Sequence, residues 1–319
     1  MRLLATLALA VATVGHAHAQ AYPSKPIRVV MPTAPGSPPD HAARVLASKM
    51  GETIGGTLIV ENRGGAGGTL GASVAAKSAP DGYTLMMGST TSLGIGPFLF
   101  PSAGIDAVKM FSPISQVAVA PCVIAIPVTL PAKTLKEFIE LVRASPGKYN
   151  YGSPAIGSPP HVSGELFLSM AGLKMVHVAW GDPAKVIAAV ITGDAQLFIE
   201  TVGSIGPQVK AGKMRLLAVA DEKRHPQFPD VPTSAEAGLP GFESGTWSGL
   251  LAPIGTPAPI IQRLNTETRK AVATKEMKEV MFQQGGDAVA GTPEEFAKLI
   301  ATEQGKWSKA VALAGVKPQ

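Results

Sequence analysis

Between residues 27 and 220, short runs of β-branched and apolar residues alternate with stretches of helical periodicity, and few architectures accept that order. The runs at 27–31, 57–61, 83–87, 114–120, 149–152, 175–178, 197–199 and 215–220 read as strands. Helical patterns at 40–50, 70–78, 135–144, 161–170 and 183–191 lie between them. Strand, crossover helix, strand is the unit that builds parallel sheets, so the expected fold class is α/β, mostly parallel sheets flanked by helices. From 258 onward the tail reads as helical. Its clearest start is Thr292-Pro293-Glu294-Glu295, a capping box with proline at the first helical position, feeding Phe296, Leu299, Ile300 and Trp307.

A chain of 319 residues is long for one core and divides more naturally into two lobes. Two proline-bracketed segments read as strands crossing between them: 117–127, interrupted by Pro121, and 243–253, with Gly245, Trp247 and Gly249. Two crossings make the first lobe discontinuous, 22–120 plus 246–319, with a second lobe, 121–245, inserted.

The first residues are an address. Arg2 precedes an apolar run from Leu3 to Val14, and Ala17-His18-Ala19 is a small-x-small cleavage site, so 1–19 is expected to be a signal peptide. Cleavage after Ala19 or Ala21 gives an exported, periplasmic chain; no cysteine lies at the junction, so no membrane anchor is expected. Cys122 is the single cysteine, which excludes an internal disulfide. Without Arg2 the formal charge falls from 28 − 23 = +5 to 27 − 23 = +4. That excess forms no run or stripe, so nucleic acid is not an expected partner.

Gly-Ser-Pro-Pro occurs twice, at Gly36–Pro39 and Gly157–Pro160, each time just after a strand and before a helical pattern. Ser37 reads as an N-cap, Pro38 as the first helical residue and Asp40 as the capping-box acid. Ser158, Pro159 and Pro160 repeat the pattern, with His161 in place of the acid. Such turns lie at the carboxyl edge of a parallel sheet, where α/β folds bind ligands. Facing each other, two helix starts make a gap suited to an anion. The prolines remove amides, so the expected donors are the loop amides near Ala34, Gly36 and Ser37, the hydroxyls of Thr33 and Ser37, and ordered water. Taken singly, each Ser-Pro-Pro is helix punctuation; the repetition is what points to a cleft.

Gly88-Ser89-Thr90-Thr91-Ser92 follows another strand and reads as a loop whose Ser89 and Thr90 reach the same edge. Asn62-Arg63-Gly64-Gly65-Ala66-Gly67-Gly68 opens a helix but misses G-x-G-x-x-G spacing, and there is no P-loop. No metal-spaced His/Cys set and no Gly-x-Ser-x-Gly elbow is present, so neither cofactor nor catalysis is expected. His161 reads as a polar group at the cleft mouth and His177 as structural. Trp180 is either a cleft wall or a half-buried packing aromatic.

The segments "YPSKPIRVVMPTAPGSPPDHAAR", "VENRGGAGGTLGASVAAKSAPDGYTL", "YNYGSPAIGSPPHVSGELF", "VKAGKMRLLAVA", "PDVPTSAEAGLPGFES" and "WSGLLAPIGTP" together resemble the extracytoplasmic receptors of tripartite tricarboxylate transporters, the Bug proteins. That resemblance implies a two-lobed periplasmic binding protein fold of type II-like form with two crossover strands. It also implies a monomer that closes over a small organic acid and docks on membrane permease subunits. By position it assigns carboxylate binding to the loop of Thr33, Ala34, Gly36 and Ser37, partly through water. The facing loop would supply Ser153, Ile156, Gly157, Ser158 and His161. Ser89, Thr90, Thr91, Trp180 and Thr201 would line the rest.

The sequence departs from the family pattern at Pro35-Gly36-Ser37, at Trp180-Gly181-Asp182 and at Glu200-Thr201. An aromatic wall with few charges points to an apolar or aromatic body between the ligand's polar ends. The expected function is capture of a mono- or dicarboxylate for uptake. A sensor that shows its closed form to a signalling partner is the alternative, and an exported α/β enzyme a third.

Overall fold

The computed structural model describes residues 22–317, so the expected signal segment lies outside the described residues. The first sheet is built on β1 (Ile27–Met31), flanked in parallel by β2 (Leu58–Asn62) and β3 (Thr84–Ser89). Sandwiched between neighbours and covered by helices on both faces, β1 is apolar throughout except Arg28. Arg28 reaches Glu61 at 3.3 Å and Ser78 at 3.2 Å, which keeps its charge paired at the edge.

The crossing segment read at 117–127 is the second half of one longer strand, β4 (Phe111–Pro127), which continues through Pro121 and serves both lobes. β5 (Asn150–Ser153), β6 (Val176–Ala179), β7 (Phe198–Thr201) and β8 (Met214–Val219) belong to the second lobe, and β9 (Gly245–Pro253) returns the chain to the first. β9 runs antiparallel between β3 and β4, from Phe111↔Pro253 to Pro121↔Gly245. Beyond that point β4 is gripped by β7 on one side and β8 on the other. Pro121 thus sits where β4 changes sheets, and the ladder resumes at Cys122, whose N–H donates to Ser244 O at 2.8 Å. A two-residue β10 (Asp287–Ala288) completes the first sheet's edge. The result is two α/β lobes with parallel centres, each made mixed by the crossing strands.

Helices cover both faces. Pro38–Ile54, Ala258–Val272 and Lys275–Gln283 pack on Val29 and Met31, while Phe296 and Ile300 of Pro293–Leu313 pack on the opposite face with Val30 and Met86. In the second lobe Ile124 and Ile126 face Phe138 and Phe167, and Val123 and Ala125 face Phe198 and Val202. Each fully buried large side chain contributes about 2 kcal/mol. A further cluster ties the lobes together: Val162, on Pro159–Ala171, meets Ile95, Leu99 and Trp307.

The serine- and threonine-rich segment after β3 is not a loop. Ser89 caps a wide helical turn, Thr90–Ile95, through a reciprocal bond pair with Ser92. Val202–Lys210, which carries Pro207 inside it, is a helix that periodicity did not reveal.

Candidate functional site

The two Gly-Ser-Pro-Pro turns are the same structure built twice. Gly36 and Gly157 are left-handed, φ 75° and 78°, a conformation that glycine adopts without penalty. Ser37 and Ser158 follow with φ −69° and −64°. Neither serine caps its helix. Ser37 Oγ donates to Ala34 O at 2.8 Å and Ser158 Oγ to Ala155 O at 2.7 Å. The residue four beyond each glycine receives its N–H instead: Asp40 Oδ2 from Gly36 at 2.9 Å, and His161 Nδ1 from Gly157 at 2.9 Å. The expected capping box is therefore replaced by a tighter ring, and it consumes amides expected to be free for a ligand. Because Ser37 gives its proton to Ala34, the 3.1 Å contact between Thr33 Oγ1 and Ser37 Oγ takes its proton from Thr33.

Burial would raise the Asp40 pKa, but hydrogen bonds from Arg44, Asn62 and the Gly36 amide outweigh it and hold the carboxyl below its usual range. Asp40 thus neutralises the helix start it sits on.

Between the lobes lies a cavity of about 1040 Å³, at the upper end of the range for small-molecule sites. Thr33 and Ala34 after β1, Ser89 at the end of β3, Thr91 beyond it, and Thr201 at the end of β7 all line it. Three helices begin at its wall. Pro38–Ile54 is spent as described, but Thr69–Ala76 starts at Gly68, and Val202–Lys210 at Thr201, without any side-chain cap. Uncapped first turns present N–H groups and a partial positive charge, although the Thr69 N–H is already donated to Ala66 O.

Several expected contacts lie elsewhere. Gly36 and Ser37 turn away from the wall, for the reason just given. Thr90 is fully buried, its Oγ1 accepting the Trp247 N–H at 2.9 Å, so the strand crossing uses its hydroxyl. The facing loop of Ser153, Ile156, Gly157, Ser158 and His161 adds no wall to the cavity. Gly157 packs on Leu99, a β-carbon there meeting Leu99 at 2.8 Å, and Ile156 is exposed. Ser153 is buried, bonded to His177 Nε2 at 2.7 Å. His161 is 4% exposed and stacks on His177 at 3.8 Å, an internal group rather than one at the cleft mouth. Burial, then neighbouring His177, pushes its pKa down to about 4. Trp180 is the half-buried packing aromatic, seated against Val186 and Gly152.

Other wall residues were not foreseen as contacts: Gly64, Gly65, Gly67 and Gly68, then Glu200, Gly203 and Ser204. The glycine run was visible in the sequence as a helix start, and its closeness has a steric cause. A β-carbon at Gly68 would lie 2.7 Å from Ser92. Glu200 Oε1 accepts the Thr201 N–H at 2.8 Å. Burial raises its pKa, with the Thr201 amide opposing.

Residues 42–315 match the family described as Tripartite tricarboxylate transporter family receptor. The Bordetella pertussis protein BugT is 33% identical over 320 residues, spanning 99% of this chain and 98% of its own. A Rhodopseudomonas palustris protein solved with adipate is 30% identical, with a TM-score of 0.78 over 93% of this chain and 100% of that one. MatC of Rhodopseudomonas palustris, solved with bound malate, is 31% identical, with a TM-score of 0.75 over 91% and 100%. Family match and whole-length likeness agree with the two-lobed fold around a cavity: this chain belongs to the tripartite tricarboxylate transporter receptors, the Bug proteins.

Proposed function

We propose that the protein is a periplasmic solute receptor that captures a small carboxylate in the cavity between its lobes and delivers it to a permease of the same transporter class. The observation that carries this reading is the wall chemistry. Two uncapped helix starts, one from each lobe, and the hydroxyls of Ser89, Thr91 and Thr201 meet around one space. Relatives of the same family, solved with adipate and with malate, support the ligand class.

In this reading Thr33, Ala34, Ser89, Thr91 and Thr201 contact the acid, and Ser89 and Thr91 serve the first-lobe end. The lobes divide as 22–120 with 246–319 and 121–245, supported by the last β4–β9 pair at Pro121↔Gly245. The lobes rock about that point. An acid touching donors on both sides favours the closed form, and closure follows as a population shift.

A thermal-shift screen of small aliphatic and aromatic acids tests the reading. Carboxylates are expected to raise the melting temperature, and Thr91→Val and Thr201→Val to weaken the response about tenfold each, the equivalent of one lost hydrogen bond to a charged group. Failure of every acid to stabilise the protein overturns the proposal.

A further inference from the structure

Among the described residues Glu200 is the one titratable side chain on the cavity wall; no lysine, arginine or histidine lines it. Every carboxylate ligand must therefore share the space with an acid and without a basic partner. We propose that Glu200 selects the ligand's second functional group: the site takes small monocarboxylates that also carry a hydrogen-bond donor, an ammonium or a hydroxyl, in preference to dicarboxylates. This inference rests on the carboxylate-receptor reading above and narrows its substrate class.

An ionised carboxylate is acceptor-only, with about four lone-pair positions. One oxygen of Glu200 is engaged by the Thr201 N–H at 2.8 Å, an interaction that also anchors the carboxylate at the end of β7. Among the described residues the Thr201 hydroxyl is the one side-chain donor beside it, no cation pairs with it, and Glu200 lines the cavity. A ligand ammonium or hydroxyl satisfies the acceptor capacity that remains. A second ligand carboxylate does the opposite: ionised, it brings only acceptors to an acceptor, and wherever Glu200 is ionised it places like charges together. The ligand's own carboxylate has a separate place on the first lobe, at the uncapped Gly68 start of Thr69–Ala76 beside Ser89 and Thr91. The two lobes thus read opposite ends of one molecule, the first an acceptor and the second a donor. Glutamate suits the second role because its carboxylate is fixed by the Thr201 backbone amide rather than by a cation.

Calorimetry on the whole mature chain at mildly alkaline pH tests this with matched trios: the α,ω-diacid, the ω-amino acid and the ω-hydroxy acid, from butanoate to octanoate chain length. The amino or hydroxy acid of the best-fitting length is expected to bind at least about tenfold tighter than its diacid. Glu200→Gln, whose side-chain carbonyl still accepts the Thr201 N–H, is expected to remove or invert that preference. A wild-type protein that binds diacids as tightly as their amino and hydroxy partners overturns the assignment, and so does diacid binding with uptake of a proton, which would mean that Glu200 is shared as a neutral acid. Those outcomes leave the carboxylate reading standing. Silence towards all three members of every trio, and towards the acid screen, overturns both.

Discussion

Asp40 and His161 occupy equivalent places and hold equivalent amides, yet one is a charged acceptor and the other a neutral one. His161 must stay unprotonated at Nδ1 to receive the Gly157 N–H, and its pKa of about 4 lies below the ordinary 6.5. Between those values the unfolded chain binds a proton that the folded protein excludes. Stability is therefore complete above 6.5 and falls as the pH drops towards 4, by about 3 kcal/mol if this group acts alone. Urea unfolding across that window should show the loss, and His161→Gln, a non-titrating acceptor, should flatten the slope. An unchanged slope would remove His161 from the explanation. A second buried group makes a sharper case. Glu303 accepts Trp247 Nε1–H at 3.1 Å and Trp307 Nε1–H at 2.7 Å, linking the crossing strand to the last helix. Glu303→Leu strands two indole donors and should cost about 3 kcal/mol in denaturant melts, while Glu303→Gln should cost less. At this scale the sequence was informative about type and poor about direction. Thr90 and Thr91 are indistinguishable as letters, but only Thr91 faces the cavity, because the helical turn starting at Ser89 rotates Thr90 towards Trp247.

The elements were more legible than their uses. β1 spans the residues that its apolar run marked, and β2 and β3 differ by one or two residues at their ends, whereas β4 runs well beyond the 114–120 run. Continuity of β4 through Pro121 was hidden because the missing amide falls between two sheets, a circumstance created by tertiary structure alone. Val202–Lys210 was hidden by its glycines and Pro207, which packing tolerates and periodicity does not reveal. The twin turns show the limit most clearly. Their shared sequence encodes a shared local geometry, but which wall each turn reaches depends on the lobe that carries it. Gly157 lies against Leu99, whereas a β-carbon at Gly36 would meet open space. Gly36→Ala should therefore cost only the left-handed backbone term, about 1 kcal/mol, and Gly157→Ala clearly more, because Leu99 must also move. Equal losses in paired thermal melts would contradict the distinct packing of the two turns.

For the whole molecule the relevant quantity is how the lobes meet. On one flank Gly203 abuts the Gln284–Gly285 backbone so closely that a β-carbon would lie 2.1 Å from Gln284 O. His225 Nε2 lies 3.2 Å from Gly285 O, and Gln227 Nε2 donates to Phe282 O at 2.6 Å. On the other flank Val162 packs with Leu99 and Trp307. Gly203→Ala must push these backbones apart, so small-angle scattering should report an expanded molecule, and affinity for any captured acid should fall. A compact variant with unchanged affinity would show that this contact does not govern closure. Capture itself is open to a direct measurement: native mass spectrometry of the protein taken from the periplasm without refolding, then incubated with a mixture of small carboxylic acids. One acid bound per chain, displaced by tighter-binding members of the panel and weakened by Thr201→Val, is the predicted spectrum. A chain that stays bare throughout, or that retains a molecule without a carboxylate, would contradict it.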